Sequence, residues 1–338
     1  MNAVDLAAWE QRRREANRYY QHKQFDVFLD LARENLRLIR TLNDHSRERI
    51  ALNDLGLAYL SCRQPQQALE FLHQAHCLAE ASSDQPAIAA TLLNLGSAYS
   101  HLGQLSQALH LLQQARSLYQ SLQDLSGEVT AIHQIALLYA DQGEQNRSLL
   151  LHHQVLSMRR LLGDFAGEAA TLNGIGCAHS KLGQIEQAIR YFREARAIQQ
   201  AVKDVAGEAT TLNNLATAYG DVGEYNHALL TYHQVLLTHQ AIHNRHGEAV
   251  TFQNLGYTYA QLGHFDQALQ HYVRALIHYQ ALGDRPGEIA ILINMGSLHA
   301  GVLNKKQAQD CYRHAHSLVQ QIDNPLLVSR IQALMDSL

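Results

Sequence analysis

The sequence is poor in several residue types, and each shortage narrows the choice of fold and function. Only four prolines occur in 338 residues, so long helices can run without interruption. Charged residues make up 17% and the formal net charge is −4, which provides no basic surface for nucleic acid. No stretch approaches 18 uncharged apolar residues, which argues against a membrane-spanning helix. We therefore expect a protein that binds neither nucleic acid nor membrane.

Cysteine is equally scarce. The four cysteines show no CxxC or other metal-ligand spacing, and they are typical of free thiols in a reducing compartment; they are Cys62, Cys77, Cys177 and Cys311. The N-terminal sequence MNAVDLAAWEQRRRE lacks the apolar region of a secretory leader. These features predict a cytoplasmic location, and no motif calls for a cofactor.

What the sequence does contain is a repeat of forty residues. The segment GEATTLNNLATAYGDVGEYNHALLTYHQVLL from Gly207 aligns with GEAVTFQNLGYTYAQLGHFDQALQHYVRALI from Gly247, and the register continues without an insertion. Such self-similarity is typical of stacked structural repeats. The predicted units are a divergent first unit at 7–46, then 47–86, 87–126, 127–166, 167–206, 207–246, 247–286 and 287–326, with a closing helix at 327–338.

Three columns of the repeat predict its local structure. A small residue, such as Gly256, is followed three positions later by an aromatic residue or histidine, such as Tyr259. A turn glycine comes next, and apolar residues recur at three- and four-residue steps, as in amphipathic helices. Each unit should therefore be a hairpin of helices A and B, which in the sixth unit are expected near 207–222 and 225–243. At the end of a unit, Gly283 should terminate helix B and Asp284 should cap the next helix.

These columns, of the form N-L-G-x-A-Y-x-x-x-G-x-x-x-x-A, resemble the tetratricopeptide repeat. With its forty-residue period, the sequence resembles the forty-residue subclass of this repeat, which is found in Pins/LGN-type scaffolds and in many bacterial tetratricopeptide proteins. The resemblance implies an all-α fold, a right-handed α-solenoid superhelix of eight antiparallel helical hairpins with a C-terminal capping helix, forming one domain over 1–338. It also implies that the A helices line a concave groove.

Carried over column by column, the resemblance places polar residues of helix A in that groove. A primary amide both donates and accepts hydrogen bonds, so a ladder of asparagines could hold the main chain of an extended segment. The alternative is that these asparagines are structural and bond to the backbone of the adjacent helix. The candidate residues are Asn53, Asp54, Asn94, His133, Gln134, Asn173, Asn213, Asn214, Gln253, Asn254, Tyr257 and Asn294.

The inner columns carry almost no basic residue apart from Lys181, which disfavours a carboxylate clamp of the kind that chaperone-binding relatives use. The expected partner is another protein or an extended peptide. His239 and His243 stand four apart and form a weak metal candidate, although neither HExxH nor a cysteine cluster accompanies them. Surface histidines are the simpler interpretation.

No phosphate loop, GxSxG elbow or nucleophile–base pair is present, so catalysis is not expected. The leading hypothesis is a scaffold or adaptor without catalytic activity. A ligand- or peptide-sensing regulator that acts on a partner in trans is the alternative. A third hypothesis is self-association through the end repeats.

Overall fold

The computed structural model describes residues 3–21, 24–321 and 324–338, and over these ranges every regular element is an α-helix. The helices alternate with short turns. Their bounds are α1 (Ala3–Gln21), α2 (Phe25–Thr41), α3 (His45–Ser61), α4 (Pro65–Ala81), α5 (Gln85–His101), α6 (Leu105–Ser121), α7 (Leu125–Asp141), α8 (Gln145–Leu162), α9 (Phe165–Lys181), α10 (Ile185–Ala201), α11 (Val205–Asp221), α12 (Tyr225–Ala241), α13 (Arg245–Gln261), α14 (Phe265–Leu282), α15 (Arg285–Gly301), α16 (Lys305–Val319) and α17 (Pro325–Asp336).

The chain divides into two compact units, Met1–Asp164 with helices α1 to α8 and Phe165–Leu338 with helices α9 to α17. Within each unit, an odd-numbered A helix pairs with the following B helix, and each B helix then packs on the next A helix. The expected all-α solenoid of helical hairpins is confirmed. In the sixth hairpin, helix A begins two residues before the predicted start, and helix B ends two residues before the predicted end.

Capping explains the early start of the A helices. The residue before the helix accepts a hydrogen bond from the backbone N–H three positions later, as Asp204 does from Gly207 at 3.0 Å. The predicted cap Asp284 makes the same bond to Gly287 at 3.0 Å, and Asn244 serves this purpose before α13. A carboxylate at this place also interacts favourably with the positive end of the helix.

Glycines at the turns have the backbone geometry that the repeat predicts. Five turns from helix A to helix B carry a glycine with φ between 73° and 80°, which L side chains rarely adopt, and these are Gly103, Gly143, Gly183, Gly223 and Gly263. Gly283 ends α14 with φ 67°, as expected. The eighth hairpin departs from the pattern because Leu303 takes this conformation with φ 59°.

The small column of helix A allows close packing within the hairpin. A Cβ atom on Gly256 would lie 2.6 Å from the ring of Tyr272, and one on Gly176 would lie 2.5 Å from the ring of Phe192. The side chain nearest to the glycine is thus sixteen residues further along, on helix B. Buried alanines such as Ala268 on helix B complete the contact.

Successive A helices within a unit also contact one another directly, as α3 does with α5 and α11 with α13. Successive B helices in the described parts of the chain make fewer contacts with each other. The A helices therefore form a continuous surface of each unit, which we call the helix-A face. All the candidate binding residues are on A helices.

Candidate functional site

The predicted ladder residues are half-buried on the helix-A face, and their side chains bond to each other. The amide of Asn94 on α5 donates a hydrogen bond to Oδ1 of Asn53 on α3, at 2.9 Å. The two residues are 41 positions apart, so the bond joins consecutive A helices. The asparagines therefore have a structural role, although their partner is a side chain rather than the backbone.

The second unit repeats this arrangement twice. Asn214 on α11 donates to Oδ1 of Asn173 on α9 at 3.1 Å, and Asn254 on α13 donates to Oδ1 of Asn213 on α11 at 3.1 Å. Asn214 also lies 3.4 Å from the sulfur of Cys177. A hydrogen bond of this kind contributes about 1 kcal/mol to stability.

The first hairpin contains a charged version of the same contact. Arg13 on α1 occupies the column of Asn53, and its Nε donates to Oδ2 of Asp54 at 2.6 Å. Burial raises the pKa of the Asp54 carboxyl, and the bond to Arg13 partly offsets this effect. Asp54 thus continues the series with an ion pair in place of an amide pair.

The bonded amides keep part of their hydrogen-bonding capacity. Asn254 donates through its amino group to Asn213, and no hydrogen bond to Oδ1 of Asn254 is found among the described residues. Asn213 accepts through its Oδ1, and its amino group has no hydrogen-bond partner among them. A primary amide offers two N–H donors and one oxygen with two lone pairs. Each pair can therefore still accept from, and donate to, a peptide group placed beside it.

Tyr257 on α13 differs from the amides because 57% of its surface is exposed. The residues in the same column of the neighbouring A helices are Thr217 and Ser297, which are also exposed and uncharged. The phenol ring is therefore available to a partner, whereas the nearby core tyrosine Tyr272 is buried.

His133 and Gln134 on α7 complete the predicted set in the first unit, and part of the His133 ring faces the interior. Its Nδ1 is buried, and its ring lies 5.4 Å from that of His152 on α8, measured between the centroids. Burial, with Arg159 and His152 nearby, lowers the pKa of His133 to about 3. The Nδ1 edge of this ring therefore faces the interior of the fourth hairpin, whereas the residue as a whole is half-buried. Gln134 is half-buried.

His239 and His243, the weak metal candidate, do not lie on the same helix. Helix α12 ends at Ala241, so His243 lies in the turn, with φ 54°, and not one helical turn after His239. The His239 ring packs directly against Gly247, where a Cβ atom would overlap it. Its Nδ1 is 3.3 Å from the amide nitrogen of Asn244. No group of three or more metal-binding side chains occurs in the described part of the chain.

Two cavities at the ends of the helix-A faces were not anticipated. A cavity of about 440 Å³ in the first unit has Trp9 in its lining, with the guanidinium groups of Arg13 and Arg47 5.9 and 5.8 Å from the Trp9 ring centroid. A second cavity, of about 310 Å³, lies between α13, α15 and α17 and includes Asn294 and Arg330. The forty-residue period already places Arg330 in the column of Ala290, which is the signal that could have identified it.

None of the helices described is long and apolar enough to cross a membrane. A comparison with the curated protein sequences gives no match. Solved structures do match this chain, and three of them differ in how much of the chain they cover.

The Rap protein complexed with competence and sporulation factor has a TM-score of 0.68 and 17% identity, over 94% of this chain and 97% of that one. The signal transduction ATPase with numerous domains from Pyrococcus horikoshii, which has a tetratricopeptide repeat sensor, has a TM-score of 0.72 and 14% identity, over 97% of this chain and 50% of that one. BtubC from P. vanneervenii has a TM-score of 0.56 and 22% identity, over 65% of this chain and 91% of that one. At these identities the similarity concerns the fold alone.

The family comparison is more direct. The family model for the tetratricopeptide repeat matches residues 46–121, 128–201 and 207–281, which together exceed half of the sequence. These matches agree with the hairpins, the capped A helices and the turn glycines described above. The chain therefore belongs to the tetratricopeptide repeat family.

Proposed function

We propose that this protein is a scaffold or adaptor without catalytic activity, and that it holds an extended peptide or protein segment on its helix-A face. Tetratricopeptide repeats typically serve as interaction scaffolds. A fold of this kind is a platform, so the specific role has to be argued from the exposed surface.

The observation that carries the proposal is the row of amide pairs with unused donors and acceptors. The pairs Asn173–Asn214 and Asn213–Asn254 fix the orientation of each side chain through one bond and leave other polar atoms accessible. An extended peptide needs donors and acceptors at regular intervals, and preorganised amides supply them with little loss of side-chain entropy on binding.

The surroundings favour a partner without strong charge. Thr217, Tyr257 and Ser297 are exposed and neutral along three consecutive A helices. Tyrosine is frequent among residues that dominate binding energy, since it combines a large apolar surface with a hydroxyl group. Tyr257 is therefore expected to contribute most to the affinity.

Selection from a displayed library of random twelve-residue peptides tests this proposal. Peptides selected on the wild-type protein should bind the Tyr257→Ala variant about tenfold more weakly, as expected for loss of an anchor worth more than 1 kcal/mol. Leu230→Ala is the matched control, because Leu230 is 66% exposed but lies on helix B. The proposal is contradicted if Leu230→Ala weakens binding while Tyr257→Ala does not. It is also contradicted if no peptide is selected.

The alternative is a regulator that senses a peptide or small ligand and acts on a partner in trans. The similarity to the Rap protein with its bound factor, and to a repeat sensor, favours this hypothesis. A sensor should change its association with a second protein when ligand binds, and ligand should raise its melting temperature. An adaptor should bind both partners independently.

Two other expectations also remain proposals. The free thiols support a reducing location such as the cytoplasm. Self-association through the end repeats predicts a sedimentation coefficient that increases with protein concentration, and a constant monomer value would exclude it.

A further inference from the structure

The cavity of about 310 Å³ at the end of the second unit combines an apolar wall with polar groups that keep unused donors or acceptors among the described residues. Its apolar lining includes Ala290 and Ile293 from α15 and Leu327 from α17. At about 30 Å³ for each water, the space equals about ten waters, which is at the lower end of ligand-pocket sizes. It can accommodate one large aliphatic side chain together with a short stretch of main chain.

The closing helix α17 creates this cavity. In the forty-residue register α17 takes the position of a further A helix, and Ile331 anchors it in the core with no exposed surface. Leu327 and Arg330 then occupy the columns of Gly287 and Ala290. Both are larger than the residues to which they correspond in α15, and both line the cavity.

The amides in this cavity are arranged differently from the other pairs. Gln253 corresponds to Asn173 and Asn213, but its Oε1 accepts a hydrogen bond from the buried hydroxyl of Tyr279 at 3.1 Å. No bond joins Gln253 to Asn294 within the described residues, although the column positions correspond to the bonded pairs. The amino group of Gln253 is thus oriented by Tyr279 and unused, and the whole amide of Asn294 is available.

Arg330 supplies the charge. It is exposed on α17, and no ion pair or hydrogen bond engages its guanidinium among the residues that the structure describes. Arg285, at the start of α15, is instead bound to Glu288, at 3.1 Å. An uncompensated guanidinium beside free amides and an apolar wall is complementary to a carboxylate next to an aliphatic group.

We propose that this cavity binds a segment in which an aliphatic side chain lies next to a carboxylate. The aliphatic group packs on Ala290, Ile293 and Leu327, the main chain bonds to Gln253 and Asn294, and the carboxylate pairs with Arg330. This inference rests on the proposed function, since it assigns one end of the peptide path on the helix-A face.

Selection of displayed random peptides on wild-type protein and on Arg330→Glu tests this assignment. Wild type should enrich peptides with Leu, Ile, Val or Met within two positions of Asp, Glu or a free C-terminus, and Arg330→Glu should replace the acids with Lys or Arg. Lys306→Glu, an equal change of charge at an exposed residue on helix B, should select the same peptides as wild type.

The most enriched peptide is then synthesised with a free or amidated C-terminus and with its acidic residue replaced by the amide. If amidation of the C-terminus weakens binding about tenfold, Arg330 pairs with the C-terminal carboxylate. If replacement of the acidic residue by the amide does so, Arg330 pairs with that side chain. Ala290→Phe, with unchanged circular dichroism, should weaken binding to a similar extent by filling the cavity. Should Arg330→Glu select the same peptides as wild type, this inference is wrong, while a dependence on Tyr257 would still support the proposed function. If no peptide is selected, both fail.

Discussion

Replacing the buried His152 with leucine should reduce the acid sensitivity of the fourth hairpin. His152 is 1% exposed and occupies the column that holds Leu72 and Leu112 in earlier hairpins. Its ring faces His133, and Arg159 is close enough to both rings to disfavour their protonation. The Nδ1 atoms of both rings are buried without a hydrogen-bond partner among the described residues.

The size of the effect follows from the pKa values. Burial is the main cause that lowers the pKa of His133 to about 3 and that of His152 to about 4, with the Arg159 charge second in both cases. The unfolded chain titrates near 6.5, so it binds more protons than the folded chain below that pH. Stability is therefore complete above about pH 6.5 and is lost as the pH falls toward 4. At pH 5.5, one unit below 6.5, each ring costs about 1.4 kcal/mol.

Chemical denaturation followed by circular dichroism at pH 7.5 and 5.5 measures this loss. The decrease in unfolding free energy should be about 1.4 kcal/mol smaller in His152→Leu than in wild type. At pH 7.5 the variant should be at least as stable, since it removes a buried polar atom without a partner. His110→Leu, at an exposed position on α6, is the control and should keep the wild-type pH dependence. Equal pH dependence in His152→Leu and wild type would refute the reasoning.

Four further substitutions test the packing of the repeat, each by denaturation at neutral pH. Gly256→Ala should destabilise the protein by at least 1 kcal/mol because its Cβ would overlap the Tyr272 ring, whereas Gly220→Ala on α11, with open space around it, should stabilise it by about 0.5 kcal/mol. Leu303→Gly should raise stability by about 1 kcal/mol because Leu303 has φ 59°, and an unchanged midpoint would contradict this. Asn254→Ala should cost about 1 kcal/mol through loss of its interhelical hydrogen bond, and a neutral result would show that the bond contributes nothing.

The repeat made much of the fold predictable. Turn glycines such as Gly223 and the cap Asp284 are local signals, because their backbone geometry depends on a few neighbouring residues. The ends of the helices differ from the prediction by up to two residues in the sixth hairpin. Asp204 and Val205 precede Gly207, where the sequence repeat opens; Asp204 caps the helix, which then begins at Val205.

The candidate site was predictable only as a set of columns. The sequence places Asn213 and Asn254 on similar helices, but it does not reveal that residues 41 positions apart come within 3.1 Å. That distance depends on how closely two A helices approach. The orientation of Gln253 by Tyr279 depends on packing in the same way. The low pKa of His133 was not predictable for the same reason, because it depends on burial and on Arg159 and His152 in its own hairpin.

Hydrogen exchange of the protein with and without a selected peptide tests the central claim most directly. Binding on the helix-A face predicts added protection in α11, α13 and α15, which carry the free amide groups and Tyr257, with little change in α12 and α14. Protection confined to the B helices α12 and α14, in the presence of saturating peptide, would contradict the account.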